Sequence, residues 1–586
     1  MCGILGTNIR DIESIKSAAE TFAYRGPDYT GFYDSGNFIL IHHRLSIIDP
    51  DSRSNQPLFD DSGKISIVFN GEIYNYKQIR KILEIEYHLK TESDTEILIY
   101  AYKKWGKEML RRLNGMFAFV IYDEENQKLF MARDHAGIKP LYYFNDIDGK
   151  FIFSSELKGI ALLCKKENIN LTFDKEAVEL FTAIGYIPSP MTLYNEIKHI
   201  EKSSFLEFDL KTKKITGKGF YHPDAVSIGK DIEEVIEESV RRNLVSDVPV
   251  GLFFSGGTDS SMIAALLKKN NINLETFSII LAGKNEDKRC FEGIAKHLNI
   301  KAHAFEFTIS DFDLIYEEIM GRIDEPCFDN SIFPTYFVSK KAAEHVKVVL
   351  SGEGGDEIFL GYPRMKNLIK MKSNQSGKMN FFDSLFFILP DFKAKNKLFE
   401  KIFAFVGDAP AYYLLAMSPS KNIMTKNSWK KAKILIVSSS QKPLEYDRKL
   451  YLENDLLRKT DMATSLASIE GRVPLLDSEI IETVSHLSSN TLLSGGVLKS
   501  VLKKILEKYV PSEYVYRNKS GFGMHLSEFF EKSQKLSLDL DLAIEFLTKD
   551  KIIEPIKISR KKLIIRYPNY AFALVTLYRA IKNTRS

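Results

Sequence analysis

The fold of the second half of this chain is decided by residues 250–261, which read Val-Gly-Leu-Phe-Phe-Ser-Gly-Gly-Thr-Asp-Ser-Ser. The apolar run from Val250 to Phe254 predicts a buried parallel strand, and the apolar residues after Ser261 predict a helix. Between the two, a glycine-rich turn meets the helix N-terminus, where backbone N–H groups and the helix dipole favour phosphate oxygens. The stretch therefore predicts an anion cradle, although a Ser/Gly turn with a purely structural role has the same composition.

A second glycine-rich loop follows another apolar run. Residues 346–357 read Val-Lys-Val-Val-Leu, a predicted strand, and then Ser-Gly-Glu-Gly-Gly-Asp-Glu. Further strands around 276–280 and 304–307 alternate with helices, which is typical of a doubly wound parallel sheet with ligands outside the carboxyl ends of its strands. Both loops then face one crevice, where Asp259 and Asp356 could share a Mg2+ ion. In the alternative, the acidic residues of the second loop only cap the following helix.

Size and composition restrict the class of protein. A chain of 586 residues predicts two to four domains, and a formal net charge of +4 argues against a nucleic-acid partner. The four cysteines are widely spaced with no Cys-x-x-Cys pair, which fits a reducing compartment better than a disulfide framework. No apolar run approaches the ~20 residues that a membrane helix needs, and the N-terminus lacks the layout of a signal peptide. We therefore expect a cytoplasmic protein with no membrane partner.

The N-terminal region offers a candidate nucleophile at Cys2. Removal of the initiator methionine would leave the Cys2 thiol beside a free α-amino group, whose pKa near ~8 lets it act as a general base. A small buried hydrophobic residue is the alternative for a single cysteine. Farther on, Asn70-Gly71 follows a predicted strand, as in a hairpin turn, but its amide and N–H could equally form an oxyanion hole. The strand 117–122 is apolar on both faces, which predicts a sheet sandwich flanked by helices.

Six segments of the first half occur in a recognisable order: Cys2-Gly3-Ile4, Arg25-Gly26-Pro27-Asp28, Arg44-Leu45-Ser46-Ile47, Asn70-Gly71-Glu72-Ile73-Tyr74-Asn75, Ser93-Asp94-Thr95-Glu96 and Gly137-Ile138-Lys139-Pro140-Leu141-Tyr142. Together they resemble a class II glutamine amidotransferase domain of the N-terminal-nucleophile hydrolase fold. The resemblance implies that Cys2 attacks the glutamine side-chain amide and that Asn70 and Gly71 hold the oxyanion. It also implies that Arg44 grips the α-carboxylate and that Asp94 accepts from the α-ammonium. The other residues that it assigns to glutamine are Leu45, Ser46, Ile47, Ile48 and Glu72.

The two glycine-rich loops of the second half, with Glu470-Gly471-Arg472-Val473-Pro474-Leu475-Leu476-Asp477, Lys499-Ser500-Val501-Leu502-Lys503 and Arg517-x-Lys519-x-Gly521-Phe522, form a second constellation. It resembles the synthetase domain of glutamine-dependent asparagine synthetases, which adenylate a carboxylate with ATP and release PPi. The resemblance implies that Glu353 assists proton removal when ammonia attacks the adenylate. Lys499, which in isolation would be taken for a surface lysine, would stabilise the developing charge. The residues assigned to ATP are Phe253, Ser255, Gly256, Gly257, Asp259, Ser260, Ile279, Ser351 and Gly352.

The acceptor stretch is where the sequence departs from that family. Asparagine synthetases place an arginine in the aspartate pocket, and Asn330 stands at that position here. The lost bidentate partner weakens the case for aspartate, so a uronic acid of a surface polysaccharide is an alternative carboxylate acceptor. The predicted acceptor residues are Asn330, Ser331 and Tyr362. A non-catalytic protein that retains the fold is another alternative, although every matched catalytic position is occupied.

The predicted architecture combines α/β and α+β domains. Residues 1–205 are expected to form a four-layer αββα glutaminase domain of the N-terminal-nucleophile hydrolase fold. Residues 206–586 are expected to form a doubly wound parallel-sheet ATP-pyrophosphatase domain with a mostly helical C-terminal part, joined through the Lys-, Gly- and Thr-rich region 200–230. ATP and Mg2+ are the predicted cofactors, with glutamine and aspartate, or another carboxylate, as substrates. Related bacterial enzymes suggest a homodimer by analogy.

Overall fold

The structure is a computed structural model that describes residues 1–224, 229–281, 285–371, 379–389, 395–517, 523–556 and 558–585. The predicted positions Lys519, Gly521 and Phe522 lie outside the described residues. Within them, no helix combines the length and the apolar character that crossing a bilayer requires.

The first half of the chain consists mainly of antiparallel strands. These strands are β1 (Gly3–Thr7), β2 (Tyr29–Asp34), β3 (Ile39–Arg44), β4 (Leu58–Phe59), β5 (Ile65–Ile73), β6 (Gly115–Asp123), β7 (Lys128–Arg133), β8 (Tyr142–Asn145), β9 (Phe151–Ser154), β10 (Ile197–His199), β11 (Ser204–Asp209) and β12 (Lys214–Phe220). The helices are α1 (Ile12–Glu20), α2 (Tyr76–Leu83), α3 (Asp94–Trp105), α4 (Leu157–Lys166) and α5 (Lys175–Ile184). The strands form two six-stranded sheets, ordered β10-β8-β9-β1-β3-β2 and β12-β11-β7-β6-β5-β4.

The two sheets stack face to face and are covered by helices on their outer faces. A core that includes Ile4, Val120 and Phe153 fills the space between the sheets. Helices α1 and α4 bury residues against the outer face of the first sheet, and α2 and α3 do so against the second. All nine residues of β6 are buried, as the apolar character of both its faces predicts. The four-layer αββα arrangement is therefore confirmed.

The second half is built around a parallel sheet. Its strands are β13 (Val250–Phe253), β14 (Glu275–Leu281), β15 (Ala302–Phe307), β16 (Val348–Leu350) and β17 (Glu470–Arg472). Its helices are α6 (Ile232–Arg242), α7 (Thr258–Lys269), α8 (Asn285–His297), α9 (Ile309–Met320), α10 (Ile332–Ala342), α11 (Gly355–Ile358), α12 (Met365–Leu368), α13 (Phe381–Ile388), α14 (Lys395–Val406), α15 (Ala409–Met417), α16 (Lys426–Ser439), α17 (Arg458–Leu466), α18 (Ser478–Ser485), α19 (Ser489–Leu492), α20 (Ser500–Leu506), α21 (Ser512–Val515), α22 (Leu526–Lys532), α23 (Gln534–Lys549), α24 (Arg560–Arg566) and α25 (Pro568–Arg585). A π-helix, Asp447–Leu457, leads into α17.

The parallel sheet has the order β15-β14-β13-β16-β17, with helices on both faces. Helix α7 belongs to the core on one face, whereas α9 and α10 belong to the core on the other. The doubly wound sheet and the helical C-terminal part are thus confirmed. Strand β17 was not among the predicted strands, because two of its three residues are charged and give no apolar run.

The predicted domain boundary between residues 205 and 206 falls within β11. This strand pairs with β7 along Ser204–Asp209, and β12 pairs with β11, so both extend the second antiparallel sheet. Cutting the chain there would separate strands that share a hydrogen-bonded ladder. We therefore propose a boundary after β12 and before α6.

Candidate active sites

Cys2 lies just before β1, next to Asn70 of β5. The Cys2 backbone N–H donates to Asn70 Oδ1 at 2.9 Å, and Cys2 Sγ lies 3.9 Å from the Leu45 carbonyl oxygen. The other end of the amide, Asn70 Nδ2, is buried and has no hydrogen-bond partner among the described residues. Burying an N–H donor without an acceptor costs free energy, so Asn70 Nδ2 is a candidate for hydrogen bonding to a ligand. This donor beside the thiol is suited to stabilising an oxyanion.

Gly71 continues β5 without a turn. The strand runs through Asn70-Gly71 to Ile73 and pairs with β6 along its length, so the hairpin alternative is wrong. Gly71 has a φ of +153°, and a Cβ at this position would lie 2.1 Å from the Met116 carbonyl oxygen. Only glycine therefore permits the close approach of β5 and β6 beside Cys2.

Two buried carboxyl groups lie next along the chain, on Glu72 and Asp94. Asp94 Oδ2 accepts from the Ile73 N–H at 3.0 Å, at the start of α3, whose N-cap is Ser93. Burial raises the pKa of Asp94 to about 6. Burial, and then the neighbouring Asp94, raise the pKa of Glu72 well above its usual range. Carboxyl groups held in this way ionise readily when an ammonium group arrives, which fits a site for the α-ammonium of an amino acid.

Arg44 is the predicted glutamine residue with the most complete hydrogen bonding. Its Nη1 donates to the Asp51 carbonyl at 2.9 Å and to Asn55 Oδ1 at 2.8 Å. Its Nη2 donates to the carbonyls of Ile48 and Asp49, at 3.2 and 2.6 Å. These contacts hold the loop that contains the other predicted residues, all of them buried: Leu45, Ser46, Ile47 and Ile48. The guanidinium thus shapes this loop, and its binding of the substrate carboxylate stays a prediction.

Arg25 is a residue near this site to which the sequence assigned no role. Its Nε donates to the Cys2 carbonyl oxygen at 3.0 Å, and its Nη2 donates to Asp461 of α17 at 2.9 Å. A third donor, Nη1, lies 3.3 Å from Glu156. Arg25 therefore ties the nucleophile to the second half of the chain. Its place in the Arg-Gly-Pro-Asp motif was the signal that could have identified it.

The predicted anion loop is closed by hydrogen bonds between two serines. Ser260 Oγ accepts from the Ser255 N–H at 3.2 Å, and the two hydroxyl oxygens lie 3.1 Å apart. Gly256 has a φ of +68°, and a Cβ there would lie 2.8 Å from the Phe291 Cα. Gly352 of the second loop is equally confined, since a Cβ would lie 2.9 Å from the Ser260 backbone nitrogen. The two loops thus touch at the carboxyl ends of the adjacent strands β13 and β16, as predicted.

Lys499 binds both carboxylates that the sequence assigns to a metal. Its Nζ hydrogen-bonds to Asp259 and lies 2.7 Å from Asp356 Oδ1. Burial alone would lower the pKa of Lys499, but the two carboxylates outweigh it and raise this pKa. Lys499 also has a φ of +55°, a costly backbone conformation for a residue with a Cβ. A lysine that seemed to be on the surface is therefore at the centre of the nucleotide loops.

Asp259 and Asp356 together supply the oxygen ligands that Mg2+ prefers. Their carboxylates converge on one point, where the Lys499 ammonium group already provides positive charge. Within the described part of the chain, no group of three or more His, Cys, Asp or Glu side chains could hold a metal alone. The two carboxylates therefore fit an ion whose remaining ligands are phosphate oxygens and water.

A cavity of about 920 Å3 joins the loops. The predicted residues that line it are Phe253, Ser255, Gly257, Asp259, Ser260, Ile279, Ser331, Ser351, Gly352, Glu353, Asp356, Tyr362 and Lys499. Gly256 and Asn330 do not line it. Asn330 Oδ1 instead accepts from the Met524 N–H at 2.8 Å, so its side chain holds the chain beyond α21 in place. A role for Asn330 in binding the acceptor therefore stays a prediction, whereas its neighbours Asp329 and Ser331 line the cavity.

Lys459 of α17 is a wall residue that the sequence missed. It is buried, its Nζ lies 2.9 Å from Glu353 Oε1, and Asp329 Oδ2 is 4.0 Å away. Tyr362, on the same wall, donates from its hydroxyl group to Glu357 Oε1 at 2.5 Å. Burial, followed by the charge of Asp356, raises the pKa of Glu357 to about 8. A single lysine on a polar helix gives no periodic signal, so only the folded chain reveals this ammonium group.

Arg472 contacts both sites. Its Nη2 lies 2.8 Å from Glu72 Oε2 in the glutamine site, and its Nε lies 2.9 Å from Glu470. Its carbonyl oxygen accepts from the Ser351 N–H of the second nucleotide loop at 2.8 Å. One buried residue of β17 is therefore bonded to a residue of each site.

The comparisons with known proteins agree with the two constellations. Residues 1–221 match a family model described as a glutamine amidotransferase domain, and residues 231–554 match one described as asparagine synthase. The glutamine-hydrolysing asparagine synthetase 1 of Bacillus subtilis is 31% identical, over 89% of this chain and 87% of its own. Asparagine synthetase B of Escherichia coli is 32% identical over 62% of this chain and 65% of its own. A glutamine phosphoribosylpyrophosphate amidotransferase structure from B. subtilis aligns with a TM-score of 0.29 and 14% identity, over 56% of this chain and 83% of that one.

Proposed function

This chain belongs to the asparagine synthase family, and we propose that it amidates the side-chain carboxylate of aspartate with nitrogen from glutamine. As a member of that family it is a glutamine-hydrolysing ligase that uses ATP. The observation that carries the proposal is the convergence of Glu353, Lys499 and the anion loop on one large cavity.

In the first half-reaction, the Cys2 thiol attacks the glutamine side-chain amide. After removal of Met1, the Cys2 α-amine takes the thiol proton and passes it to the leaving nitrogen. Asn70 Nδ2 and the Gly71 N–H stabilise the oxyanion, while Asp94 and Glu72 hold the substrate ammonium. Ammonia departs, and water then hydrolyses the thioester to glutamate. The support is the buried Asn70 amide beside Cys2 and the carboxyl pair next to it.

In the second half-reaction, an aspartate carboxylate oxygen attacks the α-phosphorus of ATP and PPi leaves into the Ser255–Ser260 loop. This step makes AMP the leaving group, so that ammonia can displace it and form the amide. Glu353 takes a proton from the attacking nitrogen, and Lys459 holds the Glu353 carboxylate in place. Lys499 stabilises negative charge that develops on the adenylate. Asp259 and Asp356 would hold Mg2+, which supplies positive charge to the phosphates when bound.

Lys459 also bears on the choice of acceptor. The family arginine is replaced by Asn330, which faces Met524, but Lys459 provides a buried cation on the cavity wall. We propose that Lys459 attracts the α-carboxylate of aspartate and that Asp329, 4.0 Å from it, receives the α-ammonium group. A uronic acid has no ammonium group to use Asp329, so this arrangement favours an amino acid.

The test is an acceptor panel with purified protein. Glutamine-dependent PPi release should rise with aspartate and yield asparagine and AMP, whereas galacturonate and glucuronate should leave it at background. Stimulation by a uronic acid alone would replace aspartate as the acceptor. Release of ADP and phosphate would overturn the adenylation chemistry itself. The homodimer stays a prediction, and sedimentation velocity on the same sample tests it.

A further inference from the structure

An exposed apolar face occurs on the pair of helices α13 and α14. Phe381 and Ile388 of α13 are each 71% exposed, and on α14 Leu398 is 43% and Phe405 is 92% exposed. In each helix the two residues are seven positions apart, so they lie on the same side of that helix. Elsewhere in the described chain, large apolar side chains at least 71% exposed occur in separate elements, at Ile85, Ile147 and Leu314. Two paired helices therefore carry an unusual concentration of exposed apolar surface.

The two helices form an antiparallel pair. At one end, Lys395 Nζ donates to the Leu389 carbonyl at 2.8 Å, which joins the end of α13 to the start of α14. At the other end, Asn380 Nδ2 donates to Asp408 Oδ2 at 2.5 Å, which joins the start of α13 to the second residue after α14. Ile388 and Leu398 therefore lie toward one end of the helix pair, and Phe381 and Phe405 lie toward the other. Each end of the helix pair thus carries two exposed apolar side chains.

The opposite side of the helix pair is fixed to the domain. Phe386 stacks on Trp429 of α16 with ring centroids 5.2 Å apart, and Phe403 lies 5.9 Å from the same indole. Phe386 and Phe399 contact each other across the two helices, at 5.0 Å. The packing of these buried aromatic residues thus fixes the orientation of both helices, with the exposed apolar residues on the side away from the domain.

The sequence around the two helices is rich in lysine, although Lys395 and Lys433 are buried and Lys431 pairs with Glu179. The described residues from 379 to 439 contain eight lysines and three acidic residues. Two of the three acids, Asp383 and Asp408, are buried in ion pairs with Lys433. Lys397 and Lys401 are exposed on α14, where Lys401 follows Leu398 by three positions and precedes Phe405 by four. Cations therefore flank the apolar residues on the same helix.

We propose that the α13–α14 face docks on a membrane surface rich in anionic phospholipid. Apolar side chains would enter the boundary between headgroups and acyl chains, while Lys397 and Lys401 would pair with phosphate groups. An anionic surface is favoured over a second copy of the chain, because the second copy would bring the same exposed lysines into the contact and no additional acidic groups on this face. This proposal departs from the expectation of no membrane partner, which rested on the lack of an apolar run long enough to span a bilayer and therefore does not test a peripheral contact.

The test is vesicle flotation with the full chain. Wild-type protein should float with vesicles of phosphatidylglycerol and phosphatidylcholine in equal parts, and should stay in the dense fraction with phosphatidylcholine alone. The variant F381S/F405S should bind about 10-fold more weakly or worse, because it removes the residues that enter the lipid. The variant K397E/K401E should lose a similar factor, and raised salt should weaken wild-type binding. The matched control is Ile147→Ser, a fully exposed apolar residue elsewhere, which should bind as wild type does.

The variants are expected to keep glutamine-dependent PPi release in free solution, which shows that they fold. Equal flotation of wild type and F381S/F405S would overturn the proposal, as would equal binding to neutral and anionic vesicles. If the wild type does not float but forms a dimer that F381S/F405S dissociates, the face is a contact between copies and the lipid proposal is wrong.

Discussion

The glutamine site and the nucleotide site differ in how they are prepared for their ligands. Around Cys2, most polar groups already have hydrogen bonds, and the buried atoms without a partner among the described residues include Asn70 Nδ2 and Glu72 Oε1. Around the anion loop, the Lys499 ammonium group is paired with the carboxylates of Asp259 and Asp356, which the sequence assigns to a metal. A substrate at the first site adds a missing bond, whereas a nucleotide at the second must exchange ion-pair partners. The first site can thus bind a small ligand with little rearrangement, whereas ion pairs in the second site must break when a charged nucleotide binds.

The largest expected effect is the loss of glutamine-dependent activity without loss of ammonia-dependent activity. Cys2→Ala should lower glutamine-dependent PPi release by roughly three orders of magnitude or more, because no other group replaces the nucleophile. With ammonium salts as the nitrogen source, PPi release should remain close to that of the wild type. Coupled assays with each nitrogen source measure both rates, and Cys164→Ala, a core cysteine, serves as control. Loss of both activities in a folded variant would contradict the separation.

Lys499→Met should impair catalysis at the nucleotide site and leave the glutaminase site active. Asp259 and Asp356 would then repel each other, and PPi release should fall about 10^2- to 10^3-fold with either nitrogen source. Glutamate production from glutamine should continue at the rate that the free glutaminase site supports. Lys504→Met, on the exposed side of α20, is the matched control. Unchanged PPi release would show that the lysine only balances charge.

Arg472→Lys should weaken the connection between the sites. Arg472 Nη1 also donates to the carbonyl oxygens of Asn243 and Val245, at 2.8 and 2.6 Å. A lysine cannot make these bonds and contact Glu72 and Glu470 as well, so we expect about a 10-fold drop in kcat/KM for glutamine. Glutamate should also be released in excess over PPi, whereas ammonia-dependent synthesis should change much less. The glutamate-to-PPi ratio is the measurement, because a purely structural defect would lower both products equally. Arg242→Lys, which loses contacts to Asp477 and touches neither site, is the control.

The smallest effect is a pH dependence confined to the first site. With its pKa raised to about 6 by burial, Asp94 is neutral below that pH and cannot pair with the glutamine ammonium group. In the free enzyme, kcat/KM for glutamine should therefore fall about 10-fold per pH unit as the pH drops below about 6. The rate of ammonia-dependent synthesis should not show this fall below pH 6, once it is corrected for the ionisation of ammonia. Asp94→Asn should lower kcat/KM for glutamine and remove its fall at acidic pH. If the fall persists in this variant, another group is responsible for it.

Sequence reasoning identified local signals well. The strand-and-turn pattern located both nucleotide loops, and the geometry of parallel strands brought Asp259 and Asp356 together. It could not predict contacts between distant residues whose own surroundings in the sequence are unremarkable. Lys459 and β17 carry no apolar pattern, and the bond from Met524 to Asn330 spans 194 positions. The partners of Arg44 depend on the path of a loop, which no periodicity encodes.

The bonds of Arg472 limit how freely the two halves of this protein can be recombined. A chimera that takes its glutaminase half from one relative and its synthetase half from another inherits Glu72 from the first parent and Arg472 from the second. Unless those two side chains match in charge and reach, a buried ion remains unpaired at the seam and the hybrid loses stability. A domain exchange in this architecture therefore has to take Glu72 and Arg472 from the same parent.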